Sequence, residues 1–176
     1  IRKDIYFVGT HPMAGREVYG VKNADKNIFK GANYIVTPTH SSTKEAIEVS
    51  KGIAKALEFK NIVELNADEH DEMIGFLSQL THCIAVALMT CKDSTNLVDY
   101  TGDSFRDLTR IAKINENMWT ELFLMNKNQL LSQMDLFLKQ FKELRDALAK
   151  EDSEKMKEIM RLSTERRKYF DKKVSD

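Results

Sequence analysis

A largely apolar stretch, residues 68–90, dominates the middle of the chain. It holds no Pro and no Gly other than Gly75, so we predict one helix that ends near Cys91. At about 100° per residue, four small or polar residues share one stripe of this helix: Asp71, Gly75, Ser78 and His82. On this pattern, Ser78 and His82 are either core polar residues with internal hydrogen bonds or part of a ligand site.

Three short runs rich in β-branched and aromatic residues precede this helix and predict strands at 4–10, 33–37 and 61–65. Between the last two, Ser42 and Glu45 form a capping-box pattern that predicts the start of an amphipathic helix. Its apolar face is predicted to consist of Ala46, Val49, Ile53 and Leu57. This order is typical of the latter part of an α/β sheet, and so small a sheet would leave a strand edge exposed. Because the chain also begins without Met, we expect it to be a piece of a longer protein.

His11 lies in the segment THPMAG, which follows the first predicted strand. Pro12 and Gly15 favour turns, so we predict a loop here. Ligands of open α/β sheets bind beyond the ends of strands, which makes His11 a candidate site residue. A loop histidine exposed to solvent is the alternative.

Beyond Asn66 the pattern predicts helices alone. A short helix at 105–113 places Arg106, Arg110 and Lys113 on one face, and Asp107 is positioned to pair with Arg110. Such a face is either a solvated basic surface or, where Asp orients Arg, a two-point site for a carboxylate.

Residues 117–150 contain neither Gly nor Pro, which predicts one long helix. Six of its apolar residues follow a heptad spacing: Leu130, Met134, Phe137, Phe141, Leu144 and Leu148. The partner of this seam is either the last predicted helix, residues 152–172, or a second copy of the chain. Few apolar residues of the last helix match the seam, so we favour a homodimer.

Composition narrows the function classes. The 27 basic and 27 acidic residues cancel, which argues against nucleic-acid binding. Two cysteines fit reduced thiols in a cytoplasmic protein better than a disulfide scaffold. Polar residues within the apolar stretch argue against a membrane span. The sequence has no Gly-rich phosphate loop and no zinc-ligand spacing. A hydrolase pair of Ser78 and His82 is disfavoured, because residues four apart on a helix point in parallel rather than at each other.

Five motifs cover nearly the whole chain, in order and at familiar spacing: GTHPMAG at 9–15, YIVTPT at 34–39, HD at 70–71 leading to SxLxH at 78–82, GxxFxDxTRIA at 102–112, and MW at 118–119. Together they resemble the prephenate dehydrogenase family. The resemblance implies an α/β remnant, the C-terminal part of a Rossmann dinucleotide-binding domain, over residues 1–66. It implies an all-α helical substrate-binding and dimerisation domain over residues 67–176.

The resemblance also implies an activity, the oxidative decarboxylation of prephenate to 4-hydroxyphenylpyruvate with hydride transfer to NAD+. The same residues are compatible with either NAD or NADP as the cofactor. His11 matches the catalytic histidine, which accepts the hydroxyl proton, and Arg110 matches the arginine that binds a substrate carboxylate. Five further positions match residues around the substrate: Ser78, His82, Glu17, Asp107 and Trp119.

Among these five, Glu17 and Asp107 match acidic partners of the arginine. His82 matches a position that is also associated with tyrosine inhibition. Two alternatives stay open. Arogenate dehydrogenase, which acts on the amino rather than the keto compound, would use the same residues. A non-catalytic helical dimerisation or ligand-binding module would account for the missing nucleotide loop, and we expect the chain by itself to bind no nucleotide.

Overall fold

A computed structural model describes residues 5–16, 18, 20–93 and 95–170. The chain divides into two compact units, Ile1–Leu130 and Leu131–Asp176. The first unit begins with a three-stranded sheet in the order β1-β2-β3. Its strands are β1 Gly9–Met13, β2 Asn33–Thr37 and β3 Asn61–Glu64. β1 runs antiparallel to β2, and β3 runs parallel to it.

The first strand differs from its prediction. It begins at Gly9 and includes His11 and Pro12, which the sequence pattern placed in a loop. Pro12 is tolerated because β1 is an edge strand, where a missing backbone N–H does not break an interior ladder. His11 is therefore held by strand pairing opposite Ile35, and its side chain is partly buried rather than in solvent.

Helix α1, Lys44–Ala56, connects β2 to β3 and covers one face of the sheet. Four residues form the buried core on this face: Tyr34, Val36, Ala54 and Phe59. Val49 and Ile53, which the sequence pattern placed on the apolar face of the helix, are 64% and 54% exposed, whereas Ser50 and Ala54 are buried.

The start of α1 lies one residue later than the predicted capping box. The Thr43 hydroxyl accepts the N–H of Ala46 at 3.2 Å and is the N-cap. Ser42 instead donates to the Phe7 carbonyl at 2.7 Å, which ties the loop to the segment before β1. The capping prediction was wrong because the Ser42 hydroxyl oxygen accepts the N–H of Thr39 at 2.9 Å instead of an N–H of the helix.

The central helix follows β3 as predicted. It runs as α2 Ala67–Ile74, a π-helical turn Gly75–Gln79 and α3 Leu80–Thr90. Asn66 and Glu69 form a reciprocal capping box at its start. By length and composition alone, Ala67–Thr90 would suffice to cross a membrane, because its acidic residues are confined to the first two turns. Within its last 18 residues the apolar run is interrupted by polar side chains, among them Ser78, Gln79 and His82, but by no Asp, Glu, Lys or Arg.

Shorter helices complete the first unit. They are α4 Asp103–Thr109, a 3-10 turn Arg110–Ala112 and α5 Glu116–Met125. Helix α6 is Lys127–Ala149 and helix α7 is Ser153–Arg167. The single helix predicted over 117–150 is thus broken at Asn126, between α5 and α6, without Gly or Pro.

In the second unit, α6 and α7 are joined by a tight turn. Glu151 has a left-handed φ of 56°, and the Asp152 side chain caps α7 by accepting the N–H of Lys155 at 2.9 Å. Lys155 also pairs with Glu143 of α6 at 3.3 Å. Phe141 and Leu148 of the heptad seam are 61% and 64% exposed, so these two seam positions are left uncovered.

Candidate active site

The sheet face opposite α1 carries His11. Strand register places His11 beside Ile35, and Ile35 beside Val63. Ile35 and Val63, together with Met73 and Leu77 of the central helix, line a cavity of about 660 Å³. The face that bears His11 therefore turns toward the central helix and a largely apolar cavity.

Three side chains form a hydrogen-bonded chain from β1 to the central helix. His11 Nδ1 lies 2.8 Å from His70 Nε2, and His70 Nδ1 lies 2.8 Å from a carboxylate oxygen of Asp71. Burial lowers the pKa of His11 from its ordinary value of 6.5, and the neighbouring His70 lowers it further. The His11 imidazole is therefore neutral at neutral pH, which is the form that accepts a proton.

His70 and Asp71 were missed as site residues by the sequence analysis, which gave them no role beyond their place in a motif. The pairing joins residues 59 positions apart, so no local spacing could predict it. The available signal was the His-Asp dipeptide in the first turns of a helix that directly follows a strand.

Ser78 lies within the π turn and His82 in α3, both partly buried, so the π turn interrupts the polar stripe that was predicted for one regular helix. His82 Nδ1 lies 2.9 Å from the Ser78 carbonyl, so this nitrogen carries a proton and donates it. The His82 ring also lies against Trp119 of α5, with ring centroids 3.8 Å apart.

The π turn is anchored by a buried amide. Gln79 is 4% exposed, and its Nε2 donates to the Leu122 carbonyl at 3.1 Å. Asn126 Nδ2 donates to both Gln79 Oε1 and the Asp71 carbonyl, each at 2.8 Å. The Asp71 carbonyl, which already accepts the N–H of Gly75 within the helix, thus gains a second donor from the end of α5.

The basic helix is arranged differently from its prediction. Arg110 begins the 3-10 turn, which packs against α3, the part of the central helix that carries His82. The structure shows no ion pair between Asp107 and Arg110, both of which lie in the described part of the chain. Arg106 pairs instead with Asp103 at 3.2 Å. Glu17 lies outside the described residues.

The described residues hold no group of three or more His, Cys, Asp or Glu side chains that could bind a metal ion. Burial raises the pKa of the Cys83 thiol, which keeps it protonated and unreactive. The sequence contains no Gly-rich phosphate loop, so these residues do not by themselves fit a complete dinucleotide site. The chemistry that they do support is proton transfer at His11.

Fold and site together define a class: the last part of a Rossmann-type α/β domain followed by an all-helical dimerisation domain. Residues 1–63 match the family model for the nucleotide-binding domain of prephenate dehydrogenase, and residues 66–162 match that for its dimerization domain. The chain belongs to the prephenate dehydrogenase family.

Individual relatives agree with this assignment. Prephenate dehydrogenase of Bacillus subtilis is 34% identical over 155 residues, which are 85% of this chain and 42% of the relative. Cyclohexadienyl dehydrogenase of Zymomonas mobilis is 30% identical over 166 residues, 91% of this chain and 56% of the relative. The chain thus spans about half the length of these relatives.

A solved structure shares the fold. Prephenate dehydrogenase from A. aeolicus, in complex with hydroxyphenyl propionate and NAD+, superimposes with a TM-score of 0.83 at 30% identity. The match covers 94% of this chain and 59% of that structure's chain. The predicted fold class, a partial Rossmann sheet followed by a helical dimerisation domain, is confirmed.

Proposed function

We propose that this chain supplies the catalytic base and the substrate pocket of an NAD-dependent prephenate dehydrogenase. Residues 1–66 would belong to the dinucleotide-binding domain and residues 67–176 to the helical domain. The observation that carries the proposal is His11, a half-buried neutral imidazole on the sheet that is bonded to His70 at the start of the central helix. A neutral imidazole held at the junction of two domains suits a base that acts on a substrate bound there.

The proposed reaction converts prephenate to 4-hydroxyphenylpyruvate and CO2. NAD+, when bound, accepts the hydride from the ring carbon that bears the hydroxyl group. His11 takes the hydroxyl proton as that carbon becomes a carbonyl. The bond to the ring carboxylate then breaks, CO2 leaves, and the released electron pair makes the ring aromatic. The phenolate oxygen takes up the proton again, so the reaction neither consumes nor releases a proton overall.

We assign Arg110 to a carboxylate of the substrate, since prephenate carries two and a guanidinium binds them by paired hydrogen bonds. The packing of its turn against α3 supports this assignment, because α3 also carries His82. Four further residues are assigned to the pocket or to the network around Arg110: Ser78, Trp119, Glu17 and Asp107. His82, stacked on Trp119, is assigned to the substrate pocket and also to recognition of tyrosine as an inhibitor.

The same proposal covers assembly and location. We infer a homodimer formed through the helical domain, supported by the exposed seam of α6 and by the dimerization-domain match. We infer a cytoplasmic enzyme that does not span the membrane. Both cysteines are unpaired, and the polar side chains of the central helix bond within the first unit.

The test is the kinetics of the full-length protein with His11→Asn. Asn keeps a polar side chain but cannot take a proton, so we expect turnover to fall by roughly 10²–10⁴ while the Michaelis constant for prephenate changes little. Thr10→Asn, an exposed position on the same strand, is the matched control. Turnover near that of the wild type in His11→Asn would remove His11 from the role of base.

Substrate and cofactor are decided by the same assay. Formation of NADH or NADPH is followed by absorbance. Prephenate and arogenate are offered separately, each with NAD+ and with NADP+. Similarity to a cyclohexadienyl dehydrogenase makes arogenate the second candidate, because both compounds carry a cyclohexadienyl ring. Reduction with arogenate alone would keep the mechanism and change the substrate. No reduction by a folded protein with any pair would favour the non-catalytic module.

A further inference from the structure

We propose that His70 and Asp71 are positioning residues that fix the tautomer of His11 and so leave its Nε2 atom as the proton acceptor. The proposal rests on the proposed function of His11 and adds two residues to it. Its basis is geometric, since both nitrogens of His70 are engaged, one by a carboxylate and the other by an imidazole.

The Asp71 carboxylate determines which nitrogen of His70 carries the proton. Ionised Asp71 presents lone pairs and no proton, so His70 Nδ1 must carry the proton in the 2.8 Å contact between them. A neutral His70 then has a lone pair on Nε2. His70 is 20% exposed at its side chain and Asp71 is 53% exposed, so the carboxylate reaches solvent while the imidazole is largely shielded.

The position of the proton on His70 in turn determines which nitrogen of His11 carries a proton. His70 Nε2, as a lone pair, accepts from His11 Nδ1 across 2.8 Å. His11 must therefore hold its proton on Nδ1, which leaves the lone pair on Nε2. A histidine in water favours the opposite tautomer, with the proton on Nε2, and in that form the outward nitrogen could not accept the substrate's proton.

Position as well as tautomer is fixed. His11 extends from an edge strand, whereas His70 belongs to a helix whose start is held by the Asn66–Glu69 capping box. Their rings are tilted by 51° with centroids 5.1 Å apart, so they are not stacked in parallel, and the 2.8 Å contact between the two nitrogens is what joins them. The hydrogen bond to His70, on the helix, thus fixes the orientation of the His11 ring on the sheet.

Protonation of His70 would reverse the arrangement. With protons on both of its nitrogens, His70 becomes a donor to His11 Nδ1, and His11 then keeps its proton on Nε2. The residue that faces His11 from the paired strand is Ile35, which does not titrate, and the groups that face it from the central helix are His70 and, behind it, Asp71. A proton taken up by this pair therefore removes the base.

The first test reads the tautomer directly on this 176-residue chain. Long-range ¹H–¹⁵N correlation spectra of the histidine rings distinguish protonated from unprotonated nitrogens. We expect His11 to be protonated on Nδ1 in the wild type and to change to the Nε2-protonated tautomer in His70→Phe. A wild-type His11 protonated on Nε2, or an unchanged tautomer in folded His70→Phe, would overturn the proposal.

The second test uses turnover in the full-length protein. Misplacing a catalytic group by about 1 Å can cost about 100-fold, so we expect His70→Phe to lower kcat by roughly 10- to 100-fold with little change in KM. His70→Gln keeps an acceptor for His11 Nδ1, so it should recover a large part of kcat. The pH below which kcat/KM falls should rise in His70→Phe, because the electrostatic effect of His70, which lowers the pKa of His11, is removed.

Asp71→Asn should lower kcat in the same direction, and Glu72→Gln, the exposed next residue, is its control. If His11→Asn abolishes turnover but His70→Phe matches the wild type in kcat and pH profile, the positioning role of His70 is wrong, and the assignment of His11 as the base stands. If the ring spectra agree with the proposal but His11→Asn is fully active, the tautomer is correctly assigned and the proposed function fails.

Discussion

The side-chain amide of Asn126 donates to Gln79 Oε1 at 2.8 Å and so joins the end of α5 to the π turn of the central helix. The same nitrogen donates to the Asp71 carbonyl, also at 2.8 Å. Two acceptors near the candidate site therefore depend on one residue, which also marks the break between α5 and α6.

Asn126→Ala should lower the free energy of unfolding by about 1–3 kcal/mol, because the buried Gln79 loses a partner that water cannot readily replace. Urea denaturation followed by circular dichroism measures this change. Asn128→Ala, an exposed position of α6, is the control and should change stability little. Equal stability of the two variants would show that the Asn126 bonds contribute nothing net.

The stack of His82 on Trp119 gives a second prediction. Ring centroids 3.8 Å apart at an interplanar angle of 30° place the two rings in close contact. A double-mutant cycle of His82→Ala and Trp119→Ala should give a coupling free energy of about 0.5–1.5 kcal/mol. A cycle that pairs Trp119→Ala with His40→Ala, an exposed loop residue, should give none. Coupling near zero in the first cycle would mean that the rings pack side by side without interacting.

The sequence predicted those parts of the fold that local patterns determine. Strand β2 has its predicted bounds, and the central helix begins one residue from its predicted start. The π turn within that helix was not predicted, because its stabilising bonds to Leu122 and Asn126 come from distant parts of the chain. The break at Asn126 was missed for the same reason, since side-chain bonds rather than Gly or Pro accompany it.

The candidate site was predicted through a resemblance more than through spacing. His11 was identified, but its position in a strand was not, since an edge strand tolerates a Pro that would disrupt an interior one. The role of His70 depends on a contact between a strand and a helix 59 residues apart, which no periodicity reports. Long-range pairs of this kind require the fold.

The lowered pKa of His11 predicts a dependence of stability on pH. In the folded state its pKa lies below the ordinary value of 6.5, so as pH falls through that value the unfolded chain takes up the proton first. Protonation then favours unfolding, and the loss of stability continues down to the folded-state pKa, below which it levels off. Above pH 6.5 the group is neutral in both states and has no effect.

His11→Gln removes this effect, so its free energy of unfolding should fall less steeply than that of the wild type on acidification. Urea denaturation at several values between about pH 7 and pH 5 measures both slopes. Thr10→Asn, which leaves His11 in place, should follow the wild type. Identical slopes for His11→Gln and the wild type would contradict the lowered pKa.

The exposed seam of α6 gives a prediction about the surface through which the proposed homodimer forms. Phe141 is 61% exposed although its ring stacks on Phe137 at a centroid distance of 6.0 Å, and Leu148, one heptad further along, is 64% exposed. Apolar side chains at heptad spacing pack along a second long helix, and a symmetric dimer brings the same seam from both subunits together. Phe141→Glu would bring two carboxylates into such an interface and should convert the dimer to a monomer at micromolar concentration.

Light scattering coupled to size-exclusion chromatography measures the mass of this variant. Lys139→Glu, at an exposed position on the same helix, is the control and should remain dimeric. A dimeric Phe141→Glu would place the interface on another surface of the helical domain.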